Sequence, residues 1–124
     1  MTKEDKELLL KDLCARLPYG VIIQEYNEEY GYVDNVLNTI GIGYFSIHEA
    51  CIEGTWINHI ENVRPYLRPM SSMTEDEYKD LTAQMYNVNE EICWDADWLN
   101  AHHLDYRGLI KKGLALEAPE GMYN

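Results

Sequence analysis

Apolar positions in residues 1–17 recur at the three- and four-residue spacing of an amphipathic helix. Thr2 is predicted to cap its start, with Asp5 as the returning partner of a capping box, and Pro18 is predicted to end it. The predicted apolar face consists of Leu9, Leu10, Leu13, Cys14 and Leu17, and the predicted outward positions are Lys3, Glu4, Lys11 and Asp12. The pattern therefore predicts a helix that helps to form the core.

Between residues 19 and 69 the pattern changes to short β-branched and aromatic runs separated by turn residues. Strands are predicted at 19–26, 32–40 and 42–48, and Glu53-Gly54 is predicted to turn the chain into another strand near 56–60. The glycines of Ile40-Gly41-Ile42-Gly43 lack the downstream pattern of a dinucleotide-binding loop and indicate a bend or bulge. Four or five short sequential strands favour an antiparallel meander, either a curled sheet or a small open barrel.

The segment 63–77, VRPYLRPMSSMTEDE, joins the β-rich and helical halves. Arg64-Pro65 and Arg68-Pro69 favour extended geometry before each proline. Because proline cannot donate to a central ladder, the segment is predicted to be an edge strand or a polyproline-like crossing.

A helix start follows this segment directly. Thr74 and Glu77 form the pattern of a capping box, and Met73 and Tyr78 occupy the positions of a hydrophobic staple. The predicted helix runs to about Tyr86, with Asn87 as its C-cap, and its inward stripe consists of Tyr78, Leu81 and Met85.

The rest of the chain is predicted to be helical but broken. One helix is predicted over 92–101, with Trp94, Trp98 and Leu99 facing the sheet, and a short one over 106–112, capped by Asp105. Gly113 and Leu114 are predicted to close it on Leu109 in a Schellman motif, before a fraying tail marked by Pro119 and Gly121. The sequence thus predicts one α+β domain, 1–124, with an N-terminal helix (1–17), a β-rich part (19–69), C-terminal helices packed on one face (74–113) and a tail (114–124).

The charge balance excludes some classes of partner. The chain has 10 Lys and Arg against 22 Asp and Glu, a formal net charge of −12, which disfavours direct binding to nucleic acid or anionic lipid. The same charge could serve solubility, a basic partner or imitation of nucleic acid. Ten tyrosines against one phenylalanine suit either a half-buried sheet or a tyrosine-rich binding face.

The compartment is predicted from the absence of export signals and from the cysteines. The start MTKEDKELLL is charged, and no apolar run approaches the roughly 18 residues of a membrane span, so we expect a cytoplasmic protein without a membrane segment. Three widely spaced cysteines fit free thiols, with Cys14 and Cys93 predicted in the core.

Two groups of residues raise the question of metal binding or catalysis. His102 and His103, with Asp105 nearby, could serve a metal or act as a general base, although adjacent helical positions point about 100° apart. The alternative is a helix-terminal pair near C-terminal carbonyls. His48 and Cys51 have the spacing of one zinc-ligand pair, with His59 and Cys93 as further candidates, but a structural zinc site normally shows two pairs. No catalytic residue and no cofactor is predicted.

Arg64, Tyr66 and Arg68 form the basic and aromatic part of the joining segment. In an extended chain the two arginines would share a face and could clamp an anion or carboxylate. The alternative is that they pair with the protein's own acids, including Glu61, Glu75 and Asp76.

Two long motifs and the opening helix carry a resemblance. PYLRPMSSMTEDE at 65–77, DWLNAHHLDYRGLIKKGLALEAPEGMY at 97–123 and the helix running into LPYGV resemble a family of small acidic proteins of gut Bacteroidales and their mobile elements or phages. The two motifs cover roughly a third of the chain. The resemblance implies a bacterial or phage cytoplasmic protein, and it brings with it no activity, cofactor or catalytic residue.

The leading functional prediction is a non-enzymatic protein-binding or adaptor protein that uses a tyrosine-rich sheet and the Arg64–Pro69 segment. One alternative is an acidic decoy that imitates nucleic acid and blocks a host nucleic-acid-binding or defence protein. Another is a small metal-dependent hydrolase using His102, His103 and Asp105. The predicted partner is another protein, and the sequence leaves homo-oligomerisation open.

Overall fold

In the computed structural model, residues 1–44, 49–84, 86–88, 91–93 and 95–123 are described, with the backbone alone at 84, 86–88 and 91–93. The described chain forms an α+β fold with three α-helices and nine strands, so the predicted class is confirmed. The helices are α1 (Lys3–Arg16), α2 (Glu75–Gln84) and α3 (Ala96–Ala101). The strands are β1 (Ile22–Asn27), β2 (Gly31–Val36), β3 (Thr39–Ile42), β4 (Ala50–Glu53), β5 (Ile57–His59), β6 (Val63–Leu67), β7 (Tyr86–Val88), β8 (Glu91–Cys93) and β9 (Leu116–Glu117).

Helix α1 begins as its sequence predicts. The backbone N–H of Asp5 donates to Thr2 Oγ1 at 3.1 Å, and the backbone N–H of Thr2 donates to Asp5 Oδ2 at 3.3 Å. This capping box satisfies amide donors that have no partner within the helix. Leu9 and Leu13 are completely buried, as predicted.

Two other positions of α1 contradict the prediction. Asp12, predicted to face solvent, is completely buried, because its carboxylate accepts hydrogen bonds from Arg16 and Arg107, both at 2.8 Å. Arg16 is also completely buried and donates to the carbonyl of Leu104 at 2.7 Å. Cys14, predicted as a core thiol, is exposed. The buried face is thus rotated toward a polar cluster that the apolar pattern alone does not show.

The strands form three open sheets. The first has the order β2-β1-β6-β9, antiparallel except between β6 and β9, and the second is the antiparallel meander β3-β4-β5. Strands β7 and β8 form a separate antiparallel pair. Of the two predicted forms, the open curled sheet is the one observed.

The position of β6 differs from the predicted edge. It lies between β1 and β9, with Pro65 opposite Ile23. The parallel pairing with β9 begins at Tyr66, one residue after Pro65, so β9 requires no N–H from the proline. A short neighbouring strand therefore allows a proline-containing strand inside a sheet.

The boundaries of the middle strands also differ. The predicted strand 32–40 is two strands, β2 and β3, which belong to different sheets. The predicted strand 42–48 overlaps the described structure only at its start, since 45–48 lie outside the described residues. Strand β4 was not predicted.

The carboxylate of Glu25 joins the first two sheets. This completely buried side chain of β1 receives five hydrogen bonds of 2.7–3.3 Å. The donors are the backbone N–H groups of Gly54, Thr55 and Trp56 and the side-chain amides of Asn35 and Asn58. A Cβ atom at Gly54 would lie 2.6 Å from Glu25 Oε2, so the close approach requires glycine.

Helix α2 confirms the predicted capping box. Glu77 N–H donates to Thr74 Oγ1 at 3.1 Å, and Thr74 N–H donates to Glu77 Oε1 at 3.0 Å. Leu81 is completely buried, but Tyr78 is 54% exposed and is not part of an inward stripe. Met85, the third predicted stripe residue, lies outside the described residues.

The predicted helices after α2 are shorter or replaced. Ile92 lies in β8 rather than in a helix, and Trp94 lies outside the described residues. Residues 106–112 form turns instead of a helix. The predicted Schellman closure is nevertheless present, because Gly113 has φ +75° and Leu114 N–H donates to the carbonyl of Leu109 at 3.0 Å.

The core consists of two apolar clusters. The larger lies between α1 and the first two sheets and includes Leu114 and Ala115, so the predicted tail begins inside the core. The smaller contains Leu81, Trp98, Leu99 and Leu104 and joins α2 to α3. Across the described part of the chain, no helix combines the length and apolar character required to cross a bilayer.

Candidate functional site

The outer surface of the first sheet is the first candidate site. Along β1, β2 and β6 the more exposed side chains alternate with buried or more enclosed ones, as expected for a sheet with one face to the core. We call this surface the tyrosine face, and it consists of Ile22, Gln24, Tyr26, Tyr32, Asp34, Val36, Arg64 and Tyr66.

Strand register brings two tyrosines of this face together. Tyr26 of β1 is the cross-strand partner of Tyr32 of β2, and their ring centroids are 5.3 Å apart at 59°. Tyr32 is 70% exposed. Beside them, at the β1–β2 turn, Tyr30 stacks on Trp56 with centroids 6.0 Å apart. The sheet therefore presents a cluster of aromatic rings to solvent.

Arg64 lies next to this aromatic cluster. It is the cross-strand partner of Gln24, and it helps to line a depression of about 220 Å³ with Tyr26 and Tyr32. No carboxylate of the described residues lies within ion-pair distance of its guanidinium group, and Glu61, on the wall of the same depression, pairs with Lys6 at 3.4 Å. Arg64 is thus an exposed cation that forms no ion pair within the described part of the chain.

Tyr66 makes its hydrogen bonds within the sheet. Its hydroxyl donates to Asp34 Oδ1 at 2.8 Å and accepts from Gln24 Nε2 at 3.4 Å. Burial raises the pKa of Tyr66, and the hydrogen bond to the Asp34 carboxylate raises it further. Asp34, Gln24 and Tyr66 therefore form a hydrogen-bonded row of polar side chains across β2, β1 and β6.

Arg68 follows Arg64 by four residues but is bound by the protein itself. Its two terminal nitrogens donate to the two carboxylate oxygens of Glu77 at 2.6 and 2.7 Å and to the carbonyls of Ser72 and His102 at 3.1 and 3.3 Å. These hydrogen bonds from Arg68 are the main reason that the pKa of Glu77 is lowered to about 2. The Glu77 carboxylate raises the pKa of Arg68 in return. The partner is one of the protein's own acids, but not one of the three named from the sequence.

The second candidate site is a cavity of about 640 Å³ between the start of α2, the end of α3 and residues 117–123. We call it the C-terminal cleft. The titratable side chains that line it are Arg68, Glu77, His102, His103, Glu117, Glu120 and Tyr123.

His103 is the unusual residue of the C-terminal cleft. It has φ +60°, a left-handed conformation that few non-glycine residues adopt, and its ring stacks on Tyr123 with centroids 3.7 Å apart. Nδ1 is buried and has no hydrogen-bond partner among the described residues. Burial, followed by the positive charge of Arg16, lowers the pKa of His103 to about 4, so the ring is neutral at pH 7.

Tyr123 anchors the end of the described chain to the first sheet. Its hydroxyl accepts from the N–H of Ile22 at 2.8 Å and donates to the carbonyl of Tyr66 at 2.7 Å, which bridges β1 and β6. Burial raises its pKa to about 12. The sequence predicts a fraying tail for Tyr123, Glu117 and Glu120, and no local pattern reveals their role, because the anchors of Tyr123 lie 57 and 101 residues away.

His102 and Asp105 make contacts that serve the local fold. The His102 ring stacks on Trp98 at 3.8 Å and its Nδ1 lies 3.0 Å from the Trp98 carbonyl, as in a helix-terminal histidine. Asp105 accepts hydrogen bonds from the N–H groups of Leu109 and Ile110 at 2.8 and 3.0 Å.

Within the described ranges, no three His, Cys, Asp or Glu side chains are placed to hold a metal ion, and this includes His102, His103 and Asp105. Of the sequence-predicted zinc set, His48 and the side chain of Cys93 lie outside the described residues, and Cys51 is half-buried. His59 Nδ1 lies 3.8 Å from a Glu49 carboxylate oxygen.

Comparison with protein-family models, with curated proteins and with solved structures yields no match to this chain. The geometry of the two candidate sites is therefore the basis for a functional proposal.

Proposed function

We propose that this protein is a non-enzymatic protein-binding protein, and that the tyrosine face is its binding surface. The observation that most supports this proposal is that Arg64 is exposed and has no ion pair among the described residues, although the chain contains 22 acidic residues. Tyrosine and arginine are the residue types on which binding energy most often concentrates at protein interfaces.

The geometry of the tyrosine face supports this use. Tyr26 and Tyr32 are already packed together by strand register, so little side-chain freedom remains to be lost when a partner covers them. The polar row of Asp34 and Tyr66 is internally hydrogen-bonded and can be covered without leaving its hydroxyl unpaired. Arg64 then provides a directional donor beside an aromatic cluster.

The partner that fits is a protein with a basic surface that presents a carboxylate or carbonyl group to Arg64. The net charge of −12 attracts a basic protein over distance, and the acids Glu28 and Glu29 lie at the β1–β2 turn beside the aromatic rings. A basic partner in the cytoplasm agrees with the predicted compartment and with the bacterial or phage origin that the resemblance implies.

The two other functions stay predictions without a supporting observation. An acidic decoy needs its carboxylates on one continuous face, but here they occur on α1, on the β1–β2 turn, on α2 and near residues 117–120. A hydrolase that uses His102, His103 and Asp105 needs groups that converge on one substrate, whereas His102 and Asp105 are hydrogen-bonded within the fold.

The test compares two double variants with matched changes. Tyr32→Ser with Arg64→Ala removes an exposed tyrosine and a cation from the tyrosine face, and Tyr78→Ser with Lys79→Ala removes the same pair of groups from α2. Each protein is cross-linked in lysate of the source cells, and the captured proteins are identified and quantified by mass spectrometry.

We expect a basic protein that is captured by the wild type and by the α2 variant, and captured about thirtyfold less by the tyrosine-face variant. Capture should weaken as salt concentration rises, because part of the attraction is electrostatic. Equal capture by both variants, or no captured protein that depends on either surface, would contradict the proposal.

A further inference from the structure

The C-terminal cleft has the size of a ligand site and a net negative charge. Its volume of about 640 Å³ lies within the range of roughly 300–1,000 Å³ that is usual for small-molecule sites. Three carboxylates line it against one guanidinium group, and that group, of Arg68, is bound to Glu77 on both terminal nitrogens. An anion would therefore meet two free carboxylates and no free cation.

Glu117 and Glu120 are the two carboxylates that remain. Both are exposed, and neither has an ion-pair partner within the described chain. They lie on the same short stretch as Tyr123, whose ring is fixed by two hydrogen bonds to the first sheet. The acids are therefore held at the edge of an anchored segment rather than on a free tail.

His103 supplies the second, independent observation. The side chain is 9% exposed, lines the cleft and has no hydrogen bond on either ring nitrogen within the described chain. A buried N–H without a partner is rarer than a buried acceptor without one, so Nδ1 is the unprotonated nitrogen and Nε2 carries the hydrogen. Nε2–H is then a donor without a partner in the described chain, on a nearly buried side chain in a left-handed backbone conformation, a kind of strain that ligand sites retain.

We propose that the C-terminal cleft binds an organic cation, with Glu117 and Glu120 as counterions to a guanidinium or amine group and His103 Nε2–H donating to an acceptor atom of the same ligand. The stacked rings of His103 and Tyr123 provide a flat apolar wall beside these polar groups. This site shares no residue with the tyrosine face, so it goes beyond the proposed function and can fail or succeed independently of it.

The experiment uses two ligands that differ in one charge. N-acetyl-arginine amide carries a guanidinium group and carbonyl acceptors, and N-acetyl-citrulline amide is its uncharged counterpart of nearly the same shape. Each is titrated into isotope-labelled full-length protein at pH 7, and the ring resonances of His103 and Tyr123 are followed by NMR.

We expect saturable shifts of both rings with the arginine compound and about tenfold weaker binding of the citrulline compound. Glu117→Gln with Glu120→Gln should weaken the arginine compound by a similar factor. Glu4→Gln with Glu7→Gln, which changes the net charge equally on the exposed side of α1, should leave the affinity within about twofold.

Three results would overturn the proposal: shifts that stay linear with concentration, equal binding of the two compounds, or equal loss of affinity in the two double variants. The last would show that net charge rather than the cleft attracts the cation.

Discussion

Arg64 and Arg68 are four residues apart in the same segment, yet they lie in two unlike regions. Arg68 is fixed by both oxygens of Glu77 and by two carbonyls, at the junction of β6 with α2 and α3. Arg64 faces solvent beside Tyr26 and Tyr32 without an ion pair in the described chain. One arginine is thus held by the fold and the other is exposed, which is why we propose Arg64 for partner binding.

Charged side chains in the interior of the protein are also held by hydrogen bonds, as Arg68 is. Asp12 is enclosed by Arg16 and Arg107, and Glu25 by five donors, so these charges are hydrogen-bonded where they are buried. One terminal nitrogen of Arg16 is the exception and has no partner among the described residues. A charged group that the fold uses is therefore recognised by its partners, whereas Arg64 has no ion pair within the described chain.

The largest expected effect comes from removing the acid of the buried cluster. Asp12→Ala would leave Arg16 and Arg107 without their shared carboxylate, and we expect a loss of about 3–5 kcal/mol in the free energy of unfolding. Urea unfolding measures it, with Glu4→Ala on the exposed side of α1 as the control. A loss below about 1 kcal/mol would mean that the cluster does not stabilise the fold.

Acid should destabilise the protein through His103. Its pKa is lowered to about 4 in the folded protein from an ordinary value of 6.5, so the unfolded chain binds the proton more readily. This contribution to stability is complete above pH 6.5 and is lost as the pH falls toward 4, by roughly 3 kcal/mol.

His103→Asn provides the matched variant for this pH effect, because asparagine tolerates the left-handed conformation and does not titrate. Urea unfolding between pH 7 and pH 4 should show a shallower loss of stability in the variant. Identical pH slopes in the two proteins would show that His103 is not held neutral by burial.

A smaller effect is expected at the junction. Arg68→Ala removes the hydrogen bonds to Glu77 and should cost about 2 kcal/mol at pH 7. The stability that this pair contributes is present above pH 4.5, and it is lost as the pH falls toward the lowered pKa of Glu77 near 2. In Arg68→Ala the unfolding free energy should therefore fall less steeply as the pH is lowered from 4.5 toward 2. An unchanged slope, measured by urea unfolding at several pH values, would show that the pair does not stabilise the fold.

The parts of the fold that depend on neighbouring residues could be predicted from the sequence. The capping boxes at Thr2 and Thr74 and the closure at Gly113 each involve groups within five residues. Their hydrogen bonds join groups that are close in sequence, so the residue types at those positions are enough to predict them.

The parts of the fold that depend on distant residues could not be predicted from the sequence. Asp12 was predicted to face solvent because its second partner, Arg107, lies 95 residues away. Ile92 has helical spacing relative to its neighbours, but pairing with β7 makes it a strand. The C-terminal cleft was missed for the same reason, since Tyr123 is held by residues of β1 and β6.

We propose that Arg64 serves binding, whereas Arg68 serves folding. The most direct test measures two quantities for Arg64→Ala and Arg68→Ala: the urea unfolding free energy and the amount of the basic partner cross-linked to each protein. We predict that Arg64→Ala stays within about 0.5 kcal/mol of the wild type yet loses the partner, whereas Arg68→Ala is destabilised by about 2 kcal/mol and keeps it while folded. If Arg64→Ala captures as much partner as the wild type, Arg64 is not needed for binding.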